Sequence, residues 1–149
     1  MKTGERADVP ERTLAIIKPD ACGRDLIGPI VALAESKKLS VIAMKRVQLS
    51  RREAEGFYHI HREKPFFQSL IEFMCEGPVV LMVLQGDNAI TVWREIMGAT
   101  DPAKAAEGTV RRLFGESIER NSVHGSDGPG TAAFEIGYFF SQLELVPAS

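Results

Sequence analysis

The chain has 149 residues, 44% of them hydrophobic and 26% charged, which is enough apolar material for one real core in a single globular domain. Its formal net charge of -2 argues against a general nucleic-acid surface, so any anion site has to be a local cluster of cations. Cys22 and Cys75 are too few and too far apart for a zinc site or a disulfide framework and fit a reducing cytoplasm, and no apolar run approaches the length of a membrane span.

Met1 to Pro10 is polar and lacks the apolar segment of a signal peptide, so it reads as a mobile extension ahead of one domain over residues 11–149. Leu14 to Ile17 is a short continuous apolar run, as expected of a strand covered on both faces. Lys18-Pro19-Asp20 ends it. A lysine at a strand end before a fixed turn can meet an anion or sit in solvent, and its position alone favours solvent. Ile27, Ile30, Leu33 and Ala34 then recur at helical spacing, with Pro29 tolerable near the helix start and Lys37 and Lys38 at its dipole-favoured end.

Val41 to Leu49 reads as the second strand, and its later half has one wet face because Val47 and Leu49 alternate with Arg46 and Gln48. Ser50 and Glu53 have the spacing of a capping box, and the helix they start turns Ala54, Phe57, Tyr58 and His61 to one face. On that face Tyr58 and His61 read as core packing, and His59 as surface. After Lys64-Pro65, the stripe Phe67, Leu70, Ile71 and Met74 marks a further helix ended by Gly77-Pro78. Phe66 falls off the stripe at the helix entrance, either as a satellite of the core or as a platform for a base.

Val79 to Leu84 is an unbroken apolar run, hence a central strand. Gly86-Asp87 turns into a helix that buries Ala89, Val92, Trp93 and Ile96 and closes at Gly98; by periodicity alone Arg94 is a surface arginine. Thr100-Asp101-Pro102 begins a short helical stretch, and Gly108-Thr109-Val110-Arg111 leads into Leu113 and Phe114.

The chemistry concentrates in Asn121-Ser-Val-His124-Gly-Ser-Asp127 and the helical run after it. A neutral imidazole is a competent nucleophile near neutral pH without a separate base, so His124 can attack a phosphorus or acyl centre directly. Gly125 allows a close backbone approach, Ser126 and Asp127 offer cap oxygens, and Pro129 suits a first helical turn. Helical spacing puts Gly128, Thr131 and Glu135 on one stripe leaning toward the helix start, so Glu135 can reach back to orient the imidazole. The free backbone donors of that helix start would favour an anion beside the ring. Spacing alone is equally compatible with a strand-end histidine ahead of an ordinary turn.

Asn121-x-x-His124-Gly125-Ser126-Asp127 resembles the active-site signature of nucleoside diphosphate kinases, and the likeness runs from Arg12 to about Phe140, with Lys18-Pro19-Asp20 matching a second motif. The resemblance implies ping-pong transfer of the γ-phosphate of a nucleoside triphosphate, typically ATP, to a nucleoside diphosphate through a phosphohistidine on His124. It further implies that Lys18, Phe66, Arg94, Thr100, Arg111 and Asn121 bind nucleotide, Phe66 by stacking on the base. Glu135, Ser126 and Tyr58 would support the histidine. Mg²⁺ would ride on the nucleotide phosphates, since the chain offers no obvious protein cage for it. The implied fold is α/β (α+β): a ferredoxin-like four-stranded antiparallel sheet with helices packed on its faces, in a homo-oligomer (tetramer or hexamer) built from dimers. Neither a membrane nor nucleic acid is an expected partner.

Departures from the family pattern are Gly128 and Gly130, which replace a common serine and an acidic residue, and Arg112-Leu113 where an acidic residue is usual. They bear on helix rigidity and on contacts within the loop. A nucleotide-binding regulatory subunit with little turnover is the alternative function. Acyl transfer or metal-assisted hydrolysis lacks a paired nucleophile or a ligand set.

Overall fold

The computed structural model describes residues 10–148. Of the expected N-terminal extension, Met1 to Val9 lie outside the described residues, while Pro10 opens the first strand. Among the described residues, β1 (Pro10–Ile17), β2 (Ser40–Val47), β3 (Val79–Asp87) and β4 (Val123–Gly125) form one sheet in the order β2-β3-β1-β4. Every pairing is antiparallel. This is the ferredoxin-like arrangement expected.

Helices cover both faces. On one side Leu14 and Ile16 of β1 pack with α3 (Arg51–Phe57), α4 (Phe67–Cys75) and α7 (Pro129–Phe139) through Phe57, Ile71, Met74 and Ile136. On the other, Ala15 and Ile17 meet α1 (Pro19–Cys22), α2 (Ile27–Ser36), α5 (Ala89–Met97) and α6 (Val110–Phe114) through Ala21, Ile30, Trp93 and Val110. Double coverage is why β1 and the first half of β3 are unbroken apolar runs rather than alternating ones.

Local signals set most element starts. Ser50 Oγ accepts from Glu53 N at 3.1 Å while Glu53 Oε1 accepts from Ser50 N at 2.9 Å, so the expected capping box starts α3. Gly98 ends α5 with φ +84, a conformation that favours glycine. The second strand stops at Val47 rather than Leu49. Leu49 is buried beyond the ladder instead of continuing an alternating strand.

The short strand β4 decides where chemistry can occur. Its register pairs His124 with Ile16, which puts the imidazole on the α3/α7 side of the sheet; a slip of one residue would turn it to the other side. Ser122 is held at φ +76 in a tight turn closed by Val123 N donating to Asn121 O at 2.9 Å, and Lys18 N donates to Ser122 O at 2.8 Å. Trp93 Nε1 donates to His124 O at 3.1 Å from the opposite face. A Cβ on Gly125 would stand 2.6 Å from Trp93 and 2.7 Å from Met97, so only glycine lets β4 lie this close to α5.

Candidate active site

A cavity of about 500 Å³ opens beside β4 and gathers all but one of the residues singled out in the sequence. His124, Glu135, Tyr58, Lys18, Arg94, Arg111, Thr100, Asn121 and Phe66 line it; Ser126 lies buried behind its wall.

Its inner end is polar and tightly fastened. His124 Nε2 lies 3.0 Å from Glu135 Oε1, and Ser126 Oγ donates to the same oxygen at 2.7 Å. Ser126 Oγ in turn accepts from Leu14 N at 3.2 Å, so the carboxylate is anchored to β1 through a hydroxyl. Glu135 therefore reaches back to the ring as its helical spacing suggests. With Nε2 facing the carboxylate, the neutral ring carries its proton there and leaves Nδ1 with the lone pair. Phe57 and Tyr58 stand edge-on to the imidazole, with ring centroids 5.4 and 6.2 Å away. The Tyr58 hydroxyl is buried without a hydrogen-bond partner, and burial followed by the Glu135 charge pushes its pKa well above the ordinary phenol range.

Three cations come from distant parts of the chain. Lys18 Nζ donates to Asn121 Oδ1 at 2.8 Å, and Asn121 Nδ2 donates to Thr100 O at 3.1 Å, which ties the end of β1 to the loop after α5. Arg111 donates from its two terminal nitrogens to Gly98 O at 2.9 Å and Val123 O at 3.0 Å, and its Nε is buried without a partner. Arg94, whose side chain is 49% exposed, pairs with Asp127 at 2.9 Å. It is a surface arginine, as its periodicity suggests, and also a cavity-lining one. Burial is the main cause that lowers Lys18 to about 8, the nearby Arg111 charge adds to it, and Asp20 and Glu119 partly oppose it. Burial and then the Arg94 charge lower Arg111 to about 10. Unsolvated like charges held this close favour whatever anion enters between them.

The outer end is different in character. Phe66 and Ile118 are 48% and 62% exposed, yet both line the cavity. Beside them is His61, its ring centroid 5.8 Å from that of Phe66.

Several expectations need correction. His61 is not a core residue: it sits in a 3-10 turn (His59–His61) after α3 and lines the cavity. The tighter turn rotates it off the face that Phe57 buries. Ser126 and Asp127 do not cap α7, because their side chains are engaged by Glu135 and Arg94; Thr131 Oγ1 accepts instead from Asp127 N at 3.2 Å and Gly128 N at 3.0 Å. Those two donors are therefore not free to hold an anion beside the ring. Sequence reading also missed Ile118 and Glu119, which carry no periodic signal. Of the departures from the family pattern, Arg112 contacts Ala103 O at 3.2 Å within the loop, and Gly128 and Gly130 stand in open space where a Cβ would meet nothing.

A larger hollow of about 710 Å³ lies between the start of β1, α7 and the C-terminal turn, but its only charged lining groups among the described residues are Glu11 and Arg12. No group of three or more His, Cys, Asp or Glu side chains among the described residues is placed to hold a metal. No helix among them is long and apolar enough to cross a membrane.

Comparison with known proteins gives the same reading. The family model described as Nucleoside diphosphate kinase matches residues 11–145. The nucleoside diphosphate kinase of Oleidesulfovibrio alaskensis is 61% identical over 135 residues, covering 91% of this chain and 97% of its own. That of Geobacter sulfurreducens is 59% identical over 136 residues, covering 91% and 99%. Among solved structures, the Aquifex aeolicus nucleoside diphosphate kinase superposes with a TM-score of 0.91 at 42% identity, covering 93% of this chain and all of its own. A halophilic nucleoside diphosphate kinase from Halobacterium salinarum, solved in complex with CDP, gives 0.90 at 39% identity, covering 96% and 94%. The chain belongs to the nucleoside diphosphate kinase family.

Proposed function

We propose that the chain moves a γ-phosphate from a nucleoside triphosphate to a nucleoside diphosphate in two displacements at His124. In the first, the Nδ1 lone pair attacks the γ-phosphorus, the bond from that phosphorus to the β,γ-bridging oxygen breaks, and the nucleoside diphosphate leaves with the electron pair. In the second, a terminal oxygen of the acceptor diphosphate attacks the same phosphorus and the N–P bond breaks. Glu135 holds the Nε2 proton throughout and offsets the positive charge that develops on the ring. Ser126 keeps that carboxylate in place, and Tyr58 and Phe57 confine the ring. A phosphoramidate suits this exchange because donor and acceptor anhydrides are nearly equal in energy; a phosphoserine ester would be a sink.

Phosphoryl transfer of this kind is mostly positioning plus preorganised positive charge. Lys18, Arg94 and Arg111 supply the charge, Thr100 and Asn121 fix the depth of the sugar and phosphates, and Phe66 stacks on the base. Stacking reads no base edge, which fits a general exchange among nucleotides. A divalent cation, Mg²⁺, would shield the phosphates when bound. The chain's residues fit a cation carried by the nucleotide rather than caged by protein, because two of the three cavity carboxylates, Asp127 and Glu135, already hold Arg94 and His124, and Glu119 alone makes no cage.

The observation that carries the proposal is the Glu135–His124 contact at 3.0 Å facing a cavity that Lys18, Arg94 and Arg111 also line. Incubation with γ-labelled ATP should leave an acid-labile, base-stable label on the protein that UDP or GDP discharges. An acid-stable label, or none, sinks the proposal. A regulatory subunit with little turnover is not favoured, since His124, Glu135, Lys18, Arg94 and Arg111 all line one cavity. We further propose one domain over residues 11–149 and a cytoplasmic homo-oligomer, a tetramer or hexamer built from dimers. β2 is an edge strand, met by Val146 N at Ile42 O at 3.1 Å but with Met44 46% exposed, which supports self-association, and the free Cys22 and Cys75 support a reducing compartment.

A further inference from the structure

Three carboxylates line the cavity, and two of them are committed: Asp127 to Arg94, and Glu135 to His124 and Ser126. Glu119 is the third. Among the described residues it forms no ion pair; its Oε1 accepts from Ser69 Oγ at 3.0 Å. A carboxylate at the mouth of a site for polyanions repels the phosphates, so its presence there calls for another partner.

Its position indicates which one. Leu70 N donates to Phe66 O at 2.9 Å, so Phe66 is the N-cap at the start of α4, and Ser69 stands three residues on, about one turn away. The hydroxyl that holds Glu119 is thus the near neighbour of the ring proposed to stack on the base. The backbone behind Glu119 is fastened to the same helix. Arg120 makes two hydrogen bonds to Glu76, at 2.7 and 3.1 Å, and lies over the Phe73 ring at 4.9 Å. Glu116 N and Ser117 N both donate to Arg120 O, closing the turn that presents Ile118 and Glu119 to the cavity. A carboxylate fixed at two points beside an aromatic platform, with lone pairs to spare, is an acceptor for N–H groups at the edge of a stacked base.

We propose that Glu119 is a specificity-determining residue, a carboxylate that accepts hydrogen bonds from the amino edge of the base and biases this site toward guanine nucleotides. The inference rests on the nucleotide-transfer reading above. Guanine presents two adjacent donors, N1–H and the 2-amino group, which match a carboxylate; hypoxanthine keeps the first and lacks the second. Adenine and the pyrimidines offer one donor group at most on the corresponding edge. Ribose hydroxyls are the other donors in reach of a cavity carboxylate, and the test separates them from the base.

The experiment measures KM for GDP, IDP and 2′-deoxy-GDP as acceptors, with ATP as donor, in the unaltered chain and in Glu119→Ala and Ser69→Ala. In the unaltered chain KM for GDP should lie roughly threefold to tenfold below that for IDP, as one partly exposed hydrogen bond to a charged acceptor allows. Any difference in KM between GDP and deoxy-GDP should be the same in Glu119→Ala as in the unaltered chain. Glu119→Ala should bring the GDP to IDP ratio to about one, and Ser69→Ala should narrow it. Both acceptors are read on the same protein, so a folding defect moves them together and leaves the ratio unchanged. Equal KM values in the unaltered chain, a preference that survives Glu119→Ala, or a Glu119→Ala effect on GDP that is absent with deoxy-GDP would each overturn the inference while transfer itself stands. No transfer to any acceptor sinks the transfer reading and this one with it.

Discussion

The two ends of the cavity are built on opposite principles. At the inner end a chain of hydrogen bonds ties the polar groups down: His124 to Glu135, Glu135 to Ser126, Ser126 to the backbone of Leu14, Lys18 to Asn121, Asn121 to Thr100, and Arg111 to two carbonyls. At the outer end Phe66 and Ile118 are about half exposed apolar surfaces. Phosphoryl transfer tolerates little error in the line between nucleophile and phosphorus, whereas a base held mainly by stacking tolerates more. The difference separates rate from affinity: changes at His124 and Glu135 should move kcat, and changes at Phe66 should move KM.

The largest expected effect tests the inner end at its centre. His124→Ala should cut transfer by roughly 10⁴-fold or more, as loss of a nucleophile does, and leave no acid-labile label, while nucleotide still binds. Normal turnover in this variant would mean that the nucleophile is another residue. Glu135→Ala comes next. It frees the ring to rotate and leaves the Ser126 hydroxyl without its acceptor, so kcat should fall roughly 10- to 100-fold with KM little changed. The label should still form, only more slowly. An equal rise in KM would show that Glu135 serves binding instead of positioning.

Phe66→Ala sharpens the comparison from the other side. Stacking on an aromatic ring contributes about 1–3 kcal/mol per base, so KM should rise roughly tenfold for ADP and UDP alike while kcat stays within about twofold. A fall in kcat as large as that for Glu135→Ala would erase the distinction between the two ends.

The two ends were also unequally legible from sequence. Whatever a few neighbouring residues decide could be read: the Ser50–Glu53 capping box, the doubly covered strand at Leu14 to Ile17, the glycine stop at Gly98, and the reach of Glu135 back along its own helix. Motif likeness supplied Lys18, Arg94 and Arg111, since periodicity alone made Lys18 a solvated strand end and Arg94 surface. What brings them together is tertiary. The +76 φ of Ser122 has no glycine to announce it, and the need for Gly125 is set by Trp93 and Met97 on another element. His61 was misplaced because helical spacing was carried through a turn that tightens to 3-10 geometry. Glu119 and Ile118 lie in an aperiodic loop tied to α4 through Ser69 and Glu76.

The smallest effect is one of pH, and it divides the ends by charge. Lys18 is held at about 8 by burial and by the Arg111 charge, so in the empty protein it loses its proton as pH climbs through that value. Because kcat/KM for the donor reports the free, unphosphorylated protein, it should decline roughly threefold to tenfold between about pH 7.5 and 9 for a nucleoside triphosphate donor. Adenosine, which has no phosphates and no group that titrates in this range, should bind equally well across the same window. Fold stability moves the opposite way. An unfolded lysine keeps its proton to about pH 10.4, so the native state is penalised for a buried cation below about 8 and recovers stability as pH rises past it. Binding that weakens while the empty protein grows harder to melt distinguishes neutralisation of Lys18 from alkaline unfolding, which would lower both. Arg111→Ala removes one cause of the depression, so the inflection in kcat/KM should move upward even as nucleotide binding weakens. An inflection that stays in place would assign it to a group other than Lys18 and detach the pH dependence from the cation cluster.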